Sequence, residues 1–178
     1  MNGYPGTRGR DFPAVVVDAM LGRLGRWLRL LGVDAEARAP GGEDALIAEA
    51  RASGRTVLTR HRRRAARLES AGLPVLLLEA AGLGGQIRQV AARWDLPDVS
   101  RRFTRCSLCN EPLSLHEPGD AAAWVPAHVA VTCDRFGRCA RCGRIYWRST
   151  HADRFDRDLA RLLGDAGARS APRSGSPG

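Results

Sequence analysis

Short apolar runs alternate with amphipathic stretches through the first half of the chain. The run AVVV at residues 14–17 is apolar throughout, which is typical of a strand buried on both faces, and it ends at Asp18. Leucines then recur every three or four residues as far as Gly32, so they share one face of a helix. These leucines are Leu21, Leu24, Leu28 and Leu31. The pattern predicts a buried strand followed by an amphipathic helix that ends at Gly32.

The same alternation continues to about residue 96. It predicts strands at residues 14–17, 33–37, 56–60 and 74–78, and helices at residues 20–32, 43–53, 62–71 and 84–94. Strands that alternate with helices form parallel sheets covered by helices on both faces. We therefore expect an α/β fold whose functional site lies at the carboxyl ends of the strands, where sites in such sheets form.

Two Cys-x-x-Cys pairs stand in the second half of the chain: Cys106 with Cys109, and Cys139 with Cys142. Each pair can place two sulfurs on one tight turn, and two such turns face to face can surround a zinc ion tetrahedrally. Asn110 and Gly143 follow the pairs, and both residue types readily adopt the positive φ of a zinc knuckle. The sequence therefore predicts a structural zinc site. The alternative is two unrelated redox or core cysteine pairs.

The segment between the two cysteine pairs is expected to be a long excursion. It covers residues 111–138 and contains one weak strand pattern, VAVT, at residues 129–132. After the second pair, residues 153–163 have the spacing of a short amphipathic helix. Its apolar side carries Phe155, Leu159 and Leu162. We expect this helix to close the ordered part of the chain.

Changes in composition divide the chain into two units and a tail. A polar connector, LPDVSRRFT at residues 96–104, separates the alternating half from the cysteine pairs. We therefore predict one domain at residues 12–96 and a zinc ribbon at residues 103–151. The low-complexity tail at residues 165–178 is expected to be disordered.

The formal net charge of +9 suggests an acidic partner, and nucleic acid is the leading candidate because arginine can neutralise phosphates. All 28 basic residues are arginine and none is lysine, in a chain that is also rich in alanine and glycine. This composition is typical of a GC-rich coding bias. The charge therefore supports RNA or DNA binding only in part.

Cysteine usage and apolar runs indicate where the protein acts. The two pairs leave Cys133 as a fifth cysteine, and a thiol-only zinc site suits a reducing compartment better than a disulfide scaffold does. No apolar run approaches the length of a membrane span, so we expect a soluble, cytoplasmic protein without a membrane partner. GLGG at residues 82–85 lacks the third glycine of G-x-G-x-x-G, so no dinucleotide cofactor is expected.

Three polar residues lie where the predicted sheet meets solvent. Asp18 follows the first strand, Asp44 lies in the first turn of the second helix, and His61 follows the third strand. If the first and third strands are close, these side chains converge, and two carboxylates there would hold Mg²⁺ or Mn²⁺ for phosphodiester hydrolysis. The alternatives remain open: Asp44 stabilising a helix dipole, Asp18 capping a helix, and His61 lying in a solvated loop.

Four segments carry a resemblance to a known family: VVDAMLGRLGRWLRLLGVD, EDALIAEARASGRTVLTRH, RCSLCNEPL and RCARCGRIYWRSTH. In this order they resemble the Mut7-C RNase domain, a PIN-like fold with an inserted or appended zinc ribbon, over about residues 12–151. The resemblance implies a metal-dependent ribonuclease that uses Mg²⁺ or Mn²⁺, with a ribbon that helps to hold RNA. It matches Asp18 to the first acid of the family and Asp44 to the acid of the second helix.

The third site position departs from the family pattern. Family members typically read LTRD where this chain reads LTRH, so His61 replaces an aspartate. Because Mg²⁺ prefers oxygen ligands and Mn²⁺ accepts imidazole, we expect Mg²⁺ binding to be weakened more than Mn²⁺ binding. Glu79, after the fourth strand, is the only nearby candidate for a further acid. Two hypotheses follow: an active ribonuclease, or a weakened or inactive RNA-binding protein.

Arginines near the candidate cation site are predicted to grip the RNA backbone. In the ribbon, arginines alternate with aromatic residues, a combination that suits single-stranded RNA. The predicted RNA-binding residues are Arg60, Arg23, Arg26, Arg141, Arg144 and Tyr146. Alternatives remain for both groups. Arg23, Arg26 and Arg29 recur every three residues, which is also typical of a solvated helix face. Tyr146 and Trp147 are alternatively expected to pack the ribbon against the first domain.

Overall fold

The computed structural model describes residues 11–37, 42–147 and 150–164. The first half contains β1 (Val15–Val17), α1 (Gly22–Leu30), β2 (Ala35–Ala37), α2 (Glu43–Ser53), β3 (Thr56–Thr59), α3 (Arg62–Ser70), β4 (Val75–Leu77) and α4 (Leu83–Arg93). The second half contains β5 (Leu113–His116), α5 (Pro118–Ala121), α6 (Ala127–Thr132), β6 (Phe136–Cys139), β7 (Ile145–Trp147) and α7 (Thr150–Gly164). The strands and helices predicted for the first half are all present, with ends displaced by one or two residues.

The first four strands form a parallel sheet in the order β2-β1-β3-β4. β1 and β3 are neighbours, and Val17 pairs with Leu58 in their register. The N–H of Asp18 donates to the carbonyl of Leu58 at 3.0 Å, which continues the ladder one residue beyond β1. The predicted α/β fold with a helix-covered parallel sheet is therefore confirmed. Asp18 and His61 follow adjacent parallel strands, so both lie at the carboxyl-terminal end of the sheet.

The apolar run of β1 serves two cores, one on each face of the sheet. Val15 and Val17 belong to the first core, which α1, α4 and α7 cover. Val16 points to the opposite face and belongs to the second core, which α2 and α3 cover. Side chains alternate across a strand, so a strand between two cores must be apolar at every position. Burial of each valine side chain contributes about 1.5–3 kcal/mol.

The connector between the two halves packs against the end of α1. Gly32 has φ +85°, and a Cβ atom there would lie 2.1 Å from the carbonyl oxygen of Arg101. Only glycine fits this close approach without a rearrangement. Nearby, the N–H of Phe103 donates to the carbonyl of Leu30 at 2.9 Å. These contacts fix the start of the ribbon relative to the sheet.

The ribbon is an antiparallel sheet in the order β5-β6-β7. The strand predicted at residues 129–132 is wrong, because this segment belongs to α6. Pro126 precedes α6, and its carbonyl accepts the N–H groups of Val129 and Ala130. Val129 is buried while Val131 is 83% exposed, so the two valines do not share the buried side that an alternating strand needs.

The last helix of the chain returns to the first core. Phe155 and Leu159 of α7 are buried in that core, and the ring of Phe155 stacks on Trp27 with centroids 4.6 Å apart. Arg88 of α4 donates to the carbonyl of Leu162 at 2.6 Å. The amphipathic helix predicted after the second cysteine pair is therefore confirmed, and its apolar side packs on the sheet domain.

The tail predicted to be disordered, residues 165–178, lies outside the described residues, and the predicted domain boundaries stay a prediction. Within residues 11–37, 42–147 and 150–164, no helix combines the length and apolar character that a membrane crossing requires.

Candidate functional site

The four paired cysteines form one cluster, in which the ligand atoms all lie within 4.8 Å of one another. The sulfurs of Cys106 and Cys142 are 3.7 Å apart. Four sulfurs placed tetrahedrally about 2.3 Å from a zinc ion are about 3.8 Å from one another. Asn110 and Gly143 have φ of 66° and 69°, as the knuckle prediction required. The cluster therefore has the composition and dimensions of a structural zinc site.

The four thiols affect one another's ionisation, because their sulfur atoms lie close together. Burial raises the pKa of the Cys106 thiol, but hydrogen bonds from the Tyr146 hydroxyl and from the N–H groups of Cys109 and Leu108 outweigh burial and lower the pKa to about 6. Contact with the Cys142 sulfur, followed by burial, raises the pKa of Cys109 to about 12. The first thiolate opposes ionisation of the next, and a divalent cation among the sulfurs offsets that repulsion.

The first knuckle is docked on edge strand β2 by buried and partly buried polar contacts. Arg29 donates to the carbonyl of Ala35 at 2.6 Å, to that of Ser107 at 3.0 Å and to that of Leu108 at 2.8 Å. The Asn110 side chain donates to Asp34 at 2.6 Å and accepts the N–H of Ala35 at 3.0 Å. The contacts hold the knuckle at the amino-terminal end of β2. Burial lowers the pKa of Arg29, whereas the nearby Cys106 and Cys109 thiols raise it.

Asp18 lies at the opposite, carboxyl-terminal end of the sheet and is only 8% exposed. One carboxylate oxygen accepts the Thr59 hydroxyl at 2.6 Å and the Arg64 guanidinium at 2.5 Å. Thr59 ends β3, and Arg64 lies in the first turn of α3. Residues of β3 and α3 therefore hold the carboxylate. A buried charge is costly unless it has a charged partner and hydrogen bonds, and these two contacts supply both.

Arg64 and Arg67 connect Asp18 to two further carboxylates at the start of α2. Arg64 lies 3.8 Å from Glu43, and Arg67 lies 2.8 Å from Glu43 and 2.6 Å from Asp44. Glu43 is 30% exposed, whereas Asp44 is 88% exposed. Glu43 and Asp18 thus both lie next to the guanidinium of Arg64. Asp44 is connected to this group only through its ion pair with Arg67.

His61 begins α3 as its N-cap residue. Its Nδ1 atom accepts the N–H of Arg64 at 3.3 Å, and its own N–H donates to the Thr59 hydroxyl at 3.1 Å. One imidazole nitrogen is therefore committed to the helix end, as N-cap side chains usually are. Glu79, the other acid considered, is exposed and pairs with Arg62 at 3.0 Å. We refer to the following residues as the rim: Asp18, Glu43, Asp44, His61, Arg64 and Arg67.

The donor atoms of the rim suit a hard divalent cation, because they are carboxylate oxygens. Arginines nevertheless pair with Oδ2 of Asp18, with both oxygens of Glu43 and with Oδ1 of Asp44. Within the described residues, the four cysteines are the only group of three or more acidic, histidine or cysteine side chains with ligand atoms close together. A cation that takes Oδ2 of Asp18 must therefore displace Arg64.

Sequence reasoning found Asp18 and His61 at this edge but missed Glu43, Thr59 and Arg64. The acid pair that opens α2 and the arginines that directly follow β3 are the signals that point to these residues. Spacing alone does not show which arginine faces which acid. Only the packing of α2 and α3 on one face of the sheet brings Glu43 and Arg64 together.

The predicted RNA-binding residues lie in two separate regions. Arg60 is exposed beside the rim, and Arg23 and Arg26 are exposed on α1. Arg141 and Arg144 are exposed at the second knuckle. The third arginine of the α1 series, Arg29, does not lie on a solvated face, because it is buried against the first knuckle as described above.

Tyr146 is half-buried rather than fully available to a ligand. Its hydroxyl oxygen accepts the N–H of Ser107 at 3.0 Å and lies 3.2 Å from the sulfur of Cys106. The ring therefore helps to hold the two knuckles together. Tyr146 also lines a cavity together with Trp27 and Phe155 of the first core, which agrees with the packing alternative for this residue.

A family model described as the Mut7-C RNAse domain matches residues 13–159. The match covers most of the chain and includes the rim and the four clustered cysteines, so the resemblance of the sequence motifs is confirmed. No curated protein and no solved structure matches the chain significantly.

Proposed function

The chain belongs to the Mut7-C RNAse domain family, and on that basis we propose that it is a ribonuclease that cleaves RNA at the rim. The observation that supports this location is the buried carboxylate of Asp18 at the carboxyl end of β1, with Glu43 across the same guanidinium. Sites in parallel α/β sheets form at this end of the strands. The proposed partner is RNA because the family is a ribonuclease family. Exposed arginines such as Arg60 would hold it.

We propose that Asp18 and a second carboxylate of the rim hold Mg²⁺ or Mn²⁺ during cleavage. Such an ion supplies charge stabilisation at the phosphate and activates a water molecule. Asp18 is oriented by the Thr59 hydroxyl, so one of its oxygens keeps a fixed position when Arg64 moves away. Arg64, once displaced, stays within reach as a positive charge for the RNA phosphate.

The second carboxylate is assigned by comparing two adjacent acids. Sequence reasoning proposed Asp44, whereas the shared contact with Arg64 favours Glu43. We expect Glu43→Gln to lower single-turnover cleavage about 10-fold or more, and Asp44→Asn to lower it less than about 3-fold, since each 10-fold is about 1.4 kcal/mol of transition-state stabilisation. Both substitutions are isosteric, so each controls for the other.

The assay uses the full-length chain with unstructured and structured RNA, in Mg²⁺ and in Mn²⁺. Cleavage that is faster in Mn²⁺ than in Mg²⁺ is expected, because the rim has fewer acids than the family pattern and includes an imidazole. If Asp44→Asn loses more cleavage than Glu43→Gln does, Asp44 is the second carboxylate, as the sequence predicts. Equal cleavage with and without divalent ions would contradict metal dependence.

A second candidate function is RNA binding with little or no cleavage. It is favoured by two specific observations: Arg64 already neutralises Asp18 at 2.5 Å, and His61 uses Nδ1 to cap α3. A rim balanced in this way attracts a cation less than a cluster of unpaired acids does. This candidate predicts salt-sensitive RNA binding without product in either metal.

Replacing His61 tests how much the missing acid matters. Aspartate and asparagine are both good N-cap residues, so His61→Asp and His61→Asn should each retain the start of α3. Only aspartate adds a charge at the rim, and we expect His61→Asp to raise Mg²⁺-supported cleavage about 10-fold above His61→Asn, because Mg²⁺ selects carboxylate oxygens. If the two variants cleave equally in Mg²⁺, position 61 does not belong to the cation site.

A further inference from the structure

A cavity of about 390 Å³ lies between α1, β7 and α7, where the ribbon meets the first core. Five of the ten residues that line it are aromatic, and Arg154 and Asp158 line it as well. The residues that matter here are Trp27, Phe103, Tyr146, Trp147, Phe155 and Arg154, and we call this cavity the aromatic pocket. Its size lies at the lower end of the range for small-ligand sites, roughly 300–1,000 Å³.

Most rings of the aromatic pocket are fixed by contacts with one another or with the ribbon. Phe155 stacks on Trp27 at 4.6 Å and meets the edge of Phe103 at 5.3 Å between centroids. Tyr146 is held through its hydroxyl by the N–H of Ser107 and by the sulfur of Cys106. Rings held in this way lose little conformational entropy when a ligand binds beside them.

Trp147 forms the outer wall and is 37% exposed. An aromatic side chain that stays partly exposed beside a cavity lined by other rings is a candidate contact for a ligand. Every nucleobase has a flat π-face that stacks on such a ring without sequence preference.

The charge next to the aromatic pocket suits phosphates. Arg154, Arg157 and Arg161 follow one another along α7, and with Asp158 they line a second hollow of about 310 Å³. Arg154 and Asp158 border both cavities, so the two are contiguous. Asp158 lies 3.9 Å from Arg154 and 3.3 Å from Arg161, and the four residues that line the hollow together carry more positive than negative charge.

We propose that the aromatic pocket binds a base of single-stranded RNA, while the arginines of α7 contact the phosphates that flank that base. Single-stranded RNA is the occupant that presents a flat π-system next to negative charge, and proteins usually bind it by combining these two features. This inference rests on the proposed function, because it takes RNA as the partner. It adds a second contact region, on the ribbon side of the molecule.

The test measures binding of a short fluorescent single-stranded RNA to the full-length chain, without Mg²⁺ or Mn²⁺ so that cleavage does not interfere. The variant is Trp147→Ala, and its matched control is Trp124→Ala, since Trp124 is also 37% exposed on the ribbon but lies outside the aromatic pocket. We expect Trp147→Ala to weaken binding about 10-fold, within the range for loss of one stacked base, and Trp124→Ala to weaken it less than about 2-fold. Trp147→Phe should retain most of the affinity because a ring remains.

Two further measurements separate the base from the phosphates. An RNA of the same length with abasic positions should bind Trp147→Ala and the unmodified chain equally, since no base is left to stack. Arg157→Gln should lower the slope of log affinity against log salt by about 1, as loss of one phosphate contact does. Equal affinity of Trp147→Ala and the unmodified chain for intact RNA would overturn the proposal.

The outcomes distinguish the aromatic pocket from the proposed ribonuclease. If Trp147→Ala binds and cleaves RNA as the unmodified chain does, the pocket proposal fails and the rim proposal stands. If base-dependent binding through Trp147 occurs but no metal supports cleavage, the pocket proposal stands and the rim proposal fails. If the unmodified chain binds no single-stranded RNA even at low salt, the pocket proposal is overturned, and an apolar segment of a protein partner becomes the expected occupant.

Discussion

Asp18→Asn is expected to lower RNA cleavage at least about 100-fold, a loss of about 2.7 kcal/mol of transition-state stabilisation. Asparagine has the same shape and retains an oxygen that can accept the Thr59 hydroxyl. It lacks the negative charge that pairs with Arg64 and that would attract a divalent cation. The change therefore removes the chemistry of the site while it preserves most of the local packing.

The same substitution has a smaller effect on folding. The Arg64 guanidinium lies partly buried and keeps Glu43 at 3.8 Å, so it does not lose all of its negative neighbours. We expect the free energy of unfolding to fall by about 1–3 kcal/mol, as for loss of a hydrogen bond to a charged group. Thermal unfolding and single-turnover cleavage should be measured on the same preparations, because a folded but inactive variant is the expected result.

The control for Asp18→Asn is Glu69→Gln, at the opposite end of α3, where an exposed acid is replaced in the same way. Its cleavage and stability should match those of the unmodified chain. Cleavage by Asp18→Asn at the normal rate would show that the rim is not the site of hydrolysis, whatever the family of the chain.

Cys106→Ala is expected to have the largest effect on structure. Binding of structural zinc contributes about 10 kcal/mol or more in small zinc modules, and three cysteines do not complete a tetrahedral site. Cys106 is also buried and lies 3.2 Å from the Tyr146 hydroxyl, so its loss loosens both knuckles and one wall of the aromatic pocket. We expect purified Cys106→Ala to contain little or no zinc, against about one ion per unmodified chain.

Metal analysis and thermal unfolding check this prediction, with Cys133→Ala as the matched control. Cys133 is not part of the four-cysteine cluster, so its replacement should leave the zinc content unchanged. Full zinc content in Cys106→Ala, or loss of zinc in Cys133→Ala, would contradict the assignment of ligands. The parallel sheet is expected to persist in Cys106→Ala, because both of its cores are built without cysteine.

Predictions from local patterns agree with the structure where a single local rule, such as helical periodicity or the need for a positive φ, decides the conformation. The leucines of α1 were placed on one face because helical periodicity decides which side chains point inward. The knuckle turns were predicted because positive φ strongly restricts the residue types that can follow the second cysteine. Pattern reasoning failed at α6, where the alternation of VAVT resembled a strand but Pro126 starts a helix, and β5, β6 and β7 were not predicted at all.

Arg29 shows why some contacts were out of reach. Its spacing with Arg23 and Arg26 fits a solvated helix face, and a guanidinium is buried only where acceptors meet it. Two of those acceptors, the carbonyls of Ser107 and Leu108, come from a knuckle 78 and 79 residues further along the chain. No local pattern contains that information.

The sequence alone predicts the order of strands and helices in the first half, the two cysteine pairs of the candidate zinc site and the position of Asp18 after a buried strand. These features depend on apolar periodicity, on turn geometry and on the chemistry of single residues, all of which are local. Three features emerge only when the chain is folded: Glu43 rather than Asp44 shares Arg64 with Asp18, His61 caps a helix, and α7 completes an aromatic pocket with the ribbon. Such pairings depend on how helices pack on a sheet, because packing brings together side chains that are far apart in the chain.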